Sequence, residues 1–257
     1  MKLLSGGCRL YESIDGEAGS RGSWRWRTVV SRASGAKLVT QTVSDYGRGT
    51  SPAVTNPKSE EVLYVVRGSG YCRMDGHDHP IRTGTGAYVP PGVAYQIENR
   101  SDETIRIVSA CCPEDPGRII RDAIATEAGT GTADRPPVRR TVHESERDGQ
   151  PATSGRTFRY LVHTDLGCRE VTQFVGRIPK SKAPLHHHTY EECIYILEGS
   201  GILHLEGQPD ASRFSAGTSI YLPVGVVHCL ENPGPSDIQV LGVFHPSGSP
   251  GVAYERK

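Results

Sequence analysis

The stretch "LHHHTYEECIYILEG", Leu185 to Gly199, decides how the chain is read. Three histidines lead into two glutamates, a short apolar run with β-branched and aromatic residues, and a glycine, which is strand composition. Alternate side chains of a strand share a face, so His186 and His188 point one way and His187 the other. Upstream lies a related stretch without a histidine, "VTNPKSEEVLYVVRG", Val54 to Gly68.

That likeness is part of an internal repeat. "WRTVVSRASGAKLVTQTV" from Trp26 matches "FRYLVHTDLGCREVTQFV" from Phe158 at an offset of 132 residues. "EEVLYVVRGSG" from Glu60 matches "EECIYILEGSG" from Glu191 at 131, and "GTGAYVPPGVAYQIEN" from Gly84 matches "GTSIYLPVGVVHCLEN" from Gly217 at 133. Three blocks in one order, drifting by a residue, predict one fold used twice, with the drift in loops. Each copy reads as a hairpin turning at Gly-Ser-Gly followed by a proline-ended strand. Closing such a sheet into a jelly-roll β-barrel buries its apolar face and removes its edges. The expected architecture is all-β, with an N-terminal barrel in 1–125 and a C-terminal barrel in 126–257.

Composition agrees. Thirty glycines and eighteen prolines against four phenylalanines and two tryptophans indicate many turns. Lys+Arg and Asp+Glu both number 29, which argues against nucleic acid or an anionic membrane as partner. No apolar run approaches the ~18 residues of a membrane span, and "MKLLSGGCRLYES" has no signal-peptide core. Seven cysteines without a CxxC pair argue for free thiols and a cytoplasmic setting. Between the repeats, "DPGRIIRDAIATE" is expected to form a short helix, "AGTGTADRPP" to be a linker, and "VRRTVHESERDG" to lie across the first barrel. "SWRWRTVV" from Ser23 is a strand that either closes its own barrel or is exchanged in a homodimer.

The repeated blocks resemble the cupin family, and the whole chain resembles a bicupin. His186, His188, Glu192 and Gly199 follow the family's first motif, H-x-H-x3-E-x6-G, although Lys180 stands where its leading glycine would be. Gly217, Pro223, Gly225, His228 and Asn232 follow the second, G-x5-P-x-G-x2-H-x3-N. The resemblance implies a metal site of His186, His188, Glu192 and His228 facing the barrel interior. Three imidazoles and a carboxylate suit one divalent transition metal per chain, with Fe or Mn favoured and Ni, Cu or Zn compatible. Under the same template the first copy offers Thr55, Pro57, Glu61 and Tyr95, a poor donor set, so its metal motif reads as degenerate.

Strand alternation suggests Gln173, Tyr221, Ile194 and Ile196 as substrate-pocket residues, with Val175 beside Gln173, and places His245 near the mouth. Arg159 and Arg177 could pair with an anionic substrate. Glu192 is the expected catalytic base. The resemblance implies first a dioxygenase acting on a small chelating substrate, phenolic or keto/hydroxy acid, similar to quercetinases. It implies second a non-oxidative enzyme, similar to ureidoglycine aminohydrolases or a decarboxylase or isomerase. A non-catalytic small-molecule-binding protein is the third reading.

Overall fold

The structure is a computed structural model that describes residues 1–114, 117–124 and 138–249. It contains two β-barrels, each a large sheet facing a smaller one. In the first, the large sheet runs Thr141–His143, Thr85–Val89, Glu60–Arg67, Ile105–Cys112, Gln41–Tyr46, Trp24–Val30, Glu17–Arg21. In the second it runs Lys2–Leu3, Arg9–Tyr11, Ser219–Leu222, Glu191–Glu198, Ile238–His245, Thr172–Ile178, Thr157–Val162, Gln150–Pro151. The described helical elements are single 3-10 turns, and none is long or apolar enough to cross a membrane.

The two large sheets pack back to back, which explains the unbroken apolar runs. Six consecutive residues are buried in each of Glu60–Arg67 and Glu191–Glu198. One face serves the barrel and the other the neighbouring barrel. Ile194 and Ile196 belong to the core of the second barrel. Cys193 and Tyr195 join Val62, Tyr64 and Tyr88 of the first barrel in a shared cluster between the sheets. Gly68 and Gly199 end these strands at φ 86 and φ 85, a left-handed turn into the hairpin that only glycine adopts without strain.

Both repeats give up a strand. Arg9–Tyr11 pairs with Ser219–Leu222 of the second sheet, and Thr141–His143 pairs with Thr85–Val89 of the first. The division at 125/126 therefore follows the chain while the sheets exchange strands across it. "VRRTVHESERDG" does lie across the first barrel. Trp24–Val30 stays in its own sheet, between Gln41–Tyr46 and Glu17–Arg21.

The expected helix in the connector is corrected. Ile119–Arg121 is a strand against Ala53–Thr55, because its β-branched pair covers an open edge of the smaller sheet. The rest of that helix, at 115–116 and 125–127, and the linker 128–137 lie outside the described residues. All seven cysteines are free and buried.

Two buried glutamates join the barrels. Glu191 accepts backbone N–H bonds from Lys37, Leu38 and Val39 of the first barrel, at 2.9–3.2 Å. Its repeat partner Glu60 accepts from the backbone of Arg169 and Glu170 of the second, at 2.8–3.1 Å. It also accepts from the Tyr88 hydroxyl at 2.9 Å and the Cys168 thiol at 3.2 Å. Glu191→Ala strands three N–H donors, so urea unfolding should show a loss of about 3 kcal/mol. Glu198→Ala, at an exposed position of the same strand, should change stability by less than about 0.5 kcal/mol.

Candidate metal centre

His186 and His228 face each other across an isolated antiparallel bridge. The His186 N–H donates to the His228 carbonyl at 3.0 Å, and the His228 N–H returns a bond to the His186 carbonyl at 2.7 Å. His188 lies two residues on and is held by the Gly225 N–H, which donates to its carbonyl at 2.9 Å. The three rings converge, with centroids 4.6 to 5.2 Å apart. One ring nitrogen from each lies within 4.8 Å of the other two. All three side chains are buried.

Backbone carbonyls set two of the tautomers. His186 Nδ1 is 3.0 Å from the Pro184 carbonyl and His228 Nδ1 is 2.9 Å from that of Val226. A carbonyl only accepts, so Nδ1 carries the proton and the lone pair is on Nε2, the form that ligates a metal. Burial, reinforced by the neighbouring imidazoles, lowers both pKa values, that of His228 to about 3. His188 Nδ1 lies 2.9 Å from Glu192 Oε2. Neither buried atom has an aligned hydrogen bond. Three imidazoles beside a buried carboxylate whose close contact is one of those imidazoles fit a divalent transition cation. The Glu192 carboxylate stands beside His188, outside the close group of three nitrogens.

The triad opens into a cavity of about 100 Å³, which also exposes Glu192, Ile194, Phe158, Phe174, Tyr190 and Arg156. Phe158, Phe174, Tyr190 and Phe244 form one aromatic cluster. Tyr190 stacks on Phe244 at 4.2 Å, and Gly242 leaves the space that Phe174 fills, since a Cβ there would lie 2.2 Å from its ring. The Arg156 guanidinium donates to the Leu230 carbonyl. Its Nε is buried without a partner, and among the described residues no carboxylate lies within ion-pair distance of it.

Of the sequence-predicted pocket residues, Ile194 lines this cavity and four do not. Ile196 is one pleat deeper in the barrel core. Gln173 and Val175 face the other barrel, and the intervening Phe174 points inward. Tyr221 sits opposite Cys193, on the outward parity, in the shared cluster. His245 sits opposite Glu191 at the seam. The parity is inverted because both faces of these strands are buried, which leaves no polar alternation to read. Arg177 borders the cavity but is paired with Asp237, and Arg159 bonds the Arg147 carbonyl. Arg156 and the aromatic wall carry no motif signal. Among the described residues, a larger cleft of about 420 Å³ by Trp26, Arg106 and Tyr195 holds no such ligand group.

The first barrel has filled the equivalent space. Tyr95 pairs with Val54, and Gly92 bonds the Asn56 carbonyl as Gly225 bonds that of His188. Val54 and Asn56, not Thr55 and Pro57, therefore stand at the histidine positions. One extra residue between Asn56 and Glu61 shifts the sequence alignment. Glu61 accepts from Asn56 Nδ2 at 2.6 Å and pairs with Arg118 at 2.9 Å. The half-buried Arg118 guanidinium supplies a positive charge to this barrel.

A family model described as the cupin domain matches residues 43–111 and 174–244, more than half of the chain. The chain belongs to the cupin family and carries two tandem cupin domains. Auxin-binding protein 1 of Arabidopsis thaliana is 31% identical over 119 residues, 42% of this chain and 59% of that protein. Auxin-binding protein T85 of Nicotiana tabacum is 35% identical over 100 residues, 33% and 54%. The chain thus spans less than two thirds of these relatives. Oxalate decarboxylase from Bacillus subtilis superposes with a TM-score of 0.73 at 14% identity, covering 93% of this chain and 77% of that one. A glyoxylate-induced protein from Pseudomonas aeruginosa gives 0.70 at 17%, covering 94% and 90%. At these identities the likeness is one of fold.

Two outcomes follow from these geometries. Elemental analysis of untagged protein should find a transition metal that the His186→Ala/His228→Ala double variant loses. Arg118→Ala leaves Glu61 buried and uncompensated, and should cost about 3–5 kcal/mol in urea unfolding. Arg48→Ala, which breaks an exposed pair with Asp102, should cost less than about 1 kcal/mol.

Proposed function

We propose that this protein is a metal-dependent enzyme acting on a small anionic substrate that chelates through a keto, hydroxyl or phenolic oxygen. The observation that carries this reading is Arg156, a cation with a buried, unbonded Nε and, among the described residues, no carboxylate partner, beside three converging histidines. Its partly buried guanidinium would bind the substrate anion and fix which end enters. The aromatic cluster would exclude water and strengthen that contact. A divalent cation on His186, His188 and His228 would supply Lewis acidity toward the second substrate oxygen. Glu192, a buried carboxylate on the same cavity beside His188, would accept the proton that this oxygen releases.

Dioxygenation is the reaction class we place first, because an anchored, deprotonated chelate is electron-rich and poised for oxidation. A non-oxidative reaction, decarboxylation or hydrolytic release of ammonia, uses the same contacts. The cavity of about 100 Å³ favours it when the buried part of the substrate has only a few heavy atoms.

The test is a screen of the metal-reconstituted protein against 2-hydroxy acids, 2-keto acids and catechols. Oxygen uptake identifies the first class, and anaerobic release of carbon dioxide or ammonia the second. On any substrate found, Arg156→Ala should raise KM by roughly 10- to 100-fold, the loss of a charge-assisted hydrogen bond. Glu192→Gln should lower kcat by about 10²- to 10⁴-fold. An unchanged KM in Arg156→Ala would remove the anion-anchoring role.

A further inference from the structure

The seam between the barrels holds a second group of ligand-type side chains. Cys112 ends the strand Ile105–Cys112 of the first barrel, and His245 ends Ile238–His245 of the second. Glu170 lies just before Thr172–Ile178. One ligand atom from each lies within 4.8 Å of the other two. None of the three borders the histidine-triad cavity. Strand register sets Cys112 opposite Glu60 and His245 opposite Glu191, so the two interbarrel glutamates flank the group.

This seam carries negative charge. Glu60 and Glu191 are buried and rely largely on backbone N–H groups. Among the described residues no lysine or arginine lies within ion-pair distance of Glu60, Glu170 or Glu191. The nearest cationic candidate is His245, whose Nδ1 is 3.7 Å from a Glu170 carboxylate oxygen. A bound divalent cation would reverse the field of these carboxylates and take Cys112 as thiolate, with the thiol proton passing to solvent.

The donors suit one class of ion. A metal held by His245 Nε2 would leave Nδ1 to donate to the Glu170 backbone carbonyl, 2.8 Å away, the arrangement that orients a ligating imidazole. One sulfur, one imidazole nitrogen and one carboxylate oxygen match the borderline-soft, tetrahedral preference of zinc. Ligands bonded at roughly 2.0–2.3 Å stand roughly 3.3–3.8 Å apart, so the group must close by about 1 Å. Glu170 is exposed and can make that movement, and its open side leaves a fourth position for water.

We propose that Cys112, Glu170 and His245 form a second metal site, specific for a zinc-class divalent cation, that pins the two barrels together at their seam. It is independent of the functional reading of the histidine triad.

Cobalt(II) is the probe, because a thiolate ligand gives it a near-ultraviolet charge-transfer band that an imidazole–carboxylate site lacks. Titration of the wild-type protein should raise this band in a single saturating transition, and Zn(II) should abolish it by competition. Cys112→Ser should eliminate the band. Glu170→Ala, at an exposed position where folding is not at risk, should weaken cobalt binding by roughly tenfold or more. Zn(II) should raise the melting temperature of wild type more than that of Glu170→Ala. No band, a band that survives Cys112→Ser, or a cobalt affinity unmoved by Glu170→Ala would each overturn the proposal.

Discussion

A buried carboxylate surrounded by backbone N–H donors is a rigid joint, and this protein has two of them, related by the repeat. Glu191 holds the loop at Lys37–Val39, and Glu60 holds the loop at Arg169–Glu170. Each reaches out of its own barrel into the other. Once Glu191 is committed outward, strand alternation sends Glu192 inward, followed by Ile194 and Ile196. The doubled glutamate thus assigns one carboxylate to the seam and the next to the cavity. A slip of one residue would exchange those faces along the whole strand, burying the wrong carboxylate on each side.

The inward carboxylates show how one scaffold surrounds the same residue in two different ways. In the second barrel, Glu192 shares its cavity with three imidazoles whose ring nitrogens converge. In the first, Glu61 meets Asn56 and the Arg118 guanidinium. A lone carboxylate at that depth is strongly unfavourable, so it needs a positive partner in either case. A metal ion with open coordination positions can hold a substrate. A guanidinium already bonded to Glu61 has no such vacancy.

The repeat, the all-β class and the converging histidines were legible because they depend on short-range spacing. His228 begins a strand, and a single antiparallel bridge sets His186, with His188 two residues on, against it, an arrangement that the motif spacing already implies. Facing was not legible where both sides of a strand are buried. Gln173 and Tyr221 look like cavity residues until the neighbouring barrel is present to cover the opposite face. The histidine positions of the first copy were misread for a smaller reason. One extra loop residue moved Thr55 and Pro57 into places that Val54 and Asn56 occupy. Arg118 and Arg156 were missed because each enters from a segment without periodicity, and only tertiary packing turns its charge toward a cavity.

The exchange of edge strands ties the two repeats together more closely than their separate barrels suggest. Ser219–Leu222 is covered by a strand from the start of the chain, and Thr85–Val89 by one from beyond its midpoint. Neither repeat carries the cover for its own border. Divided in two, each would show an open ladder of hydrogen-bonding groups, the usual template for unwanted association between chains. Keeping both repeats on one polypeptide supplies each missing cover at high local concentration, so covalent continuity here works as protection against aggregation.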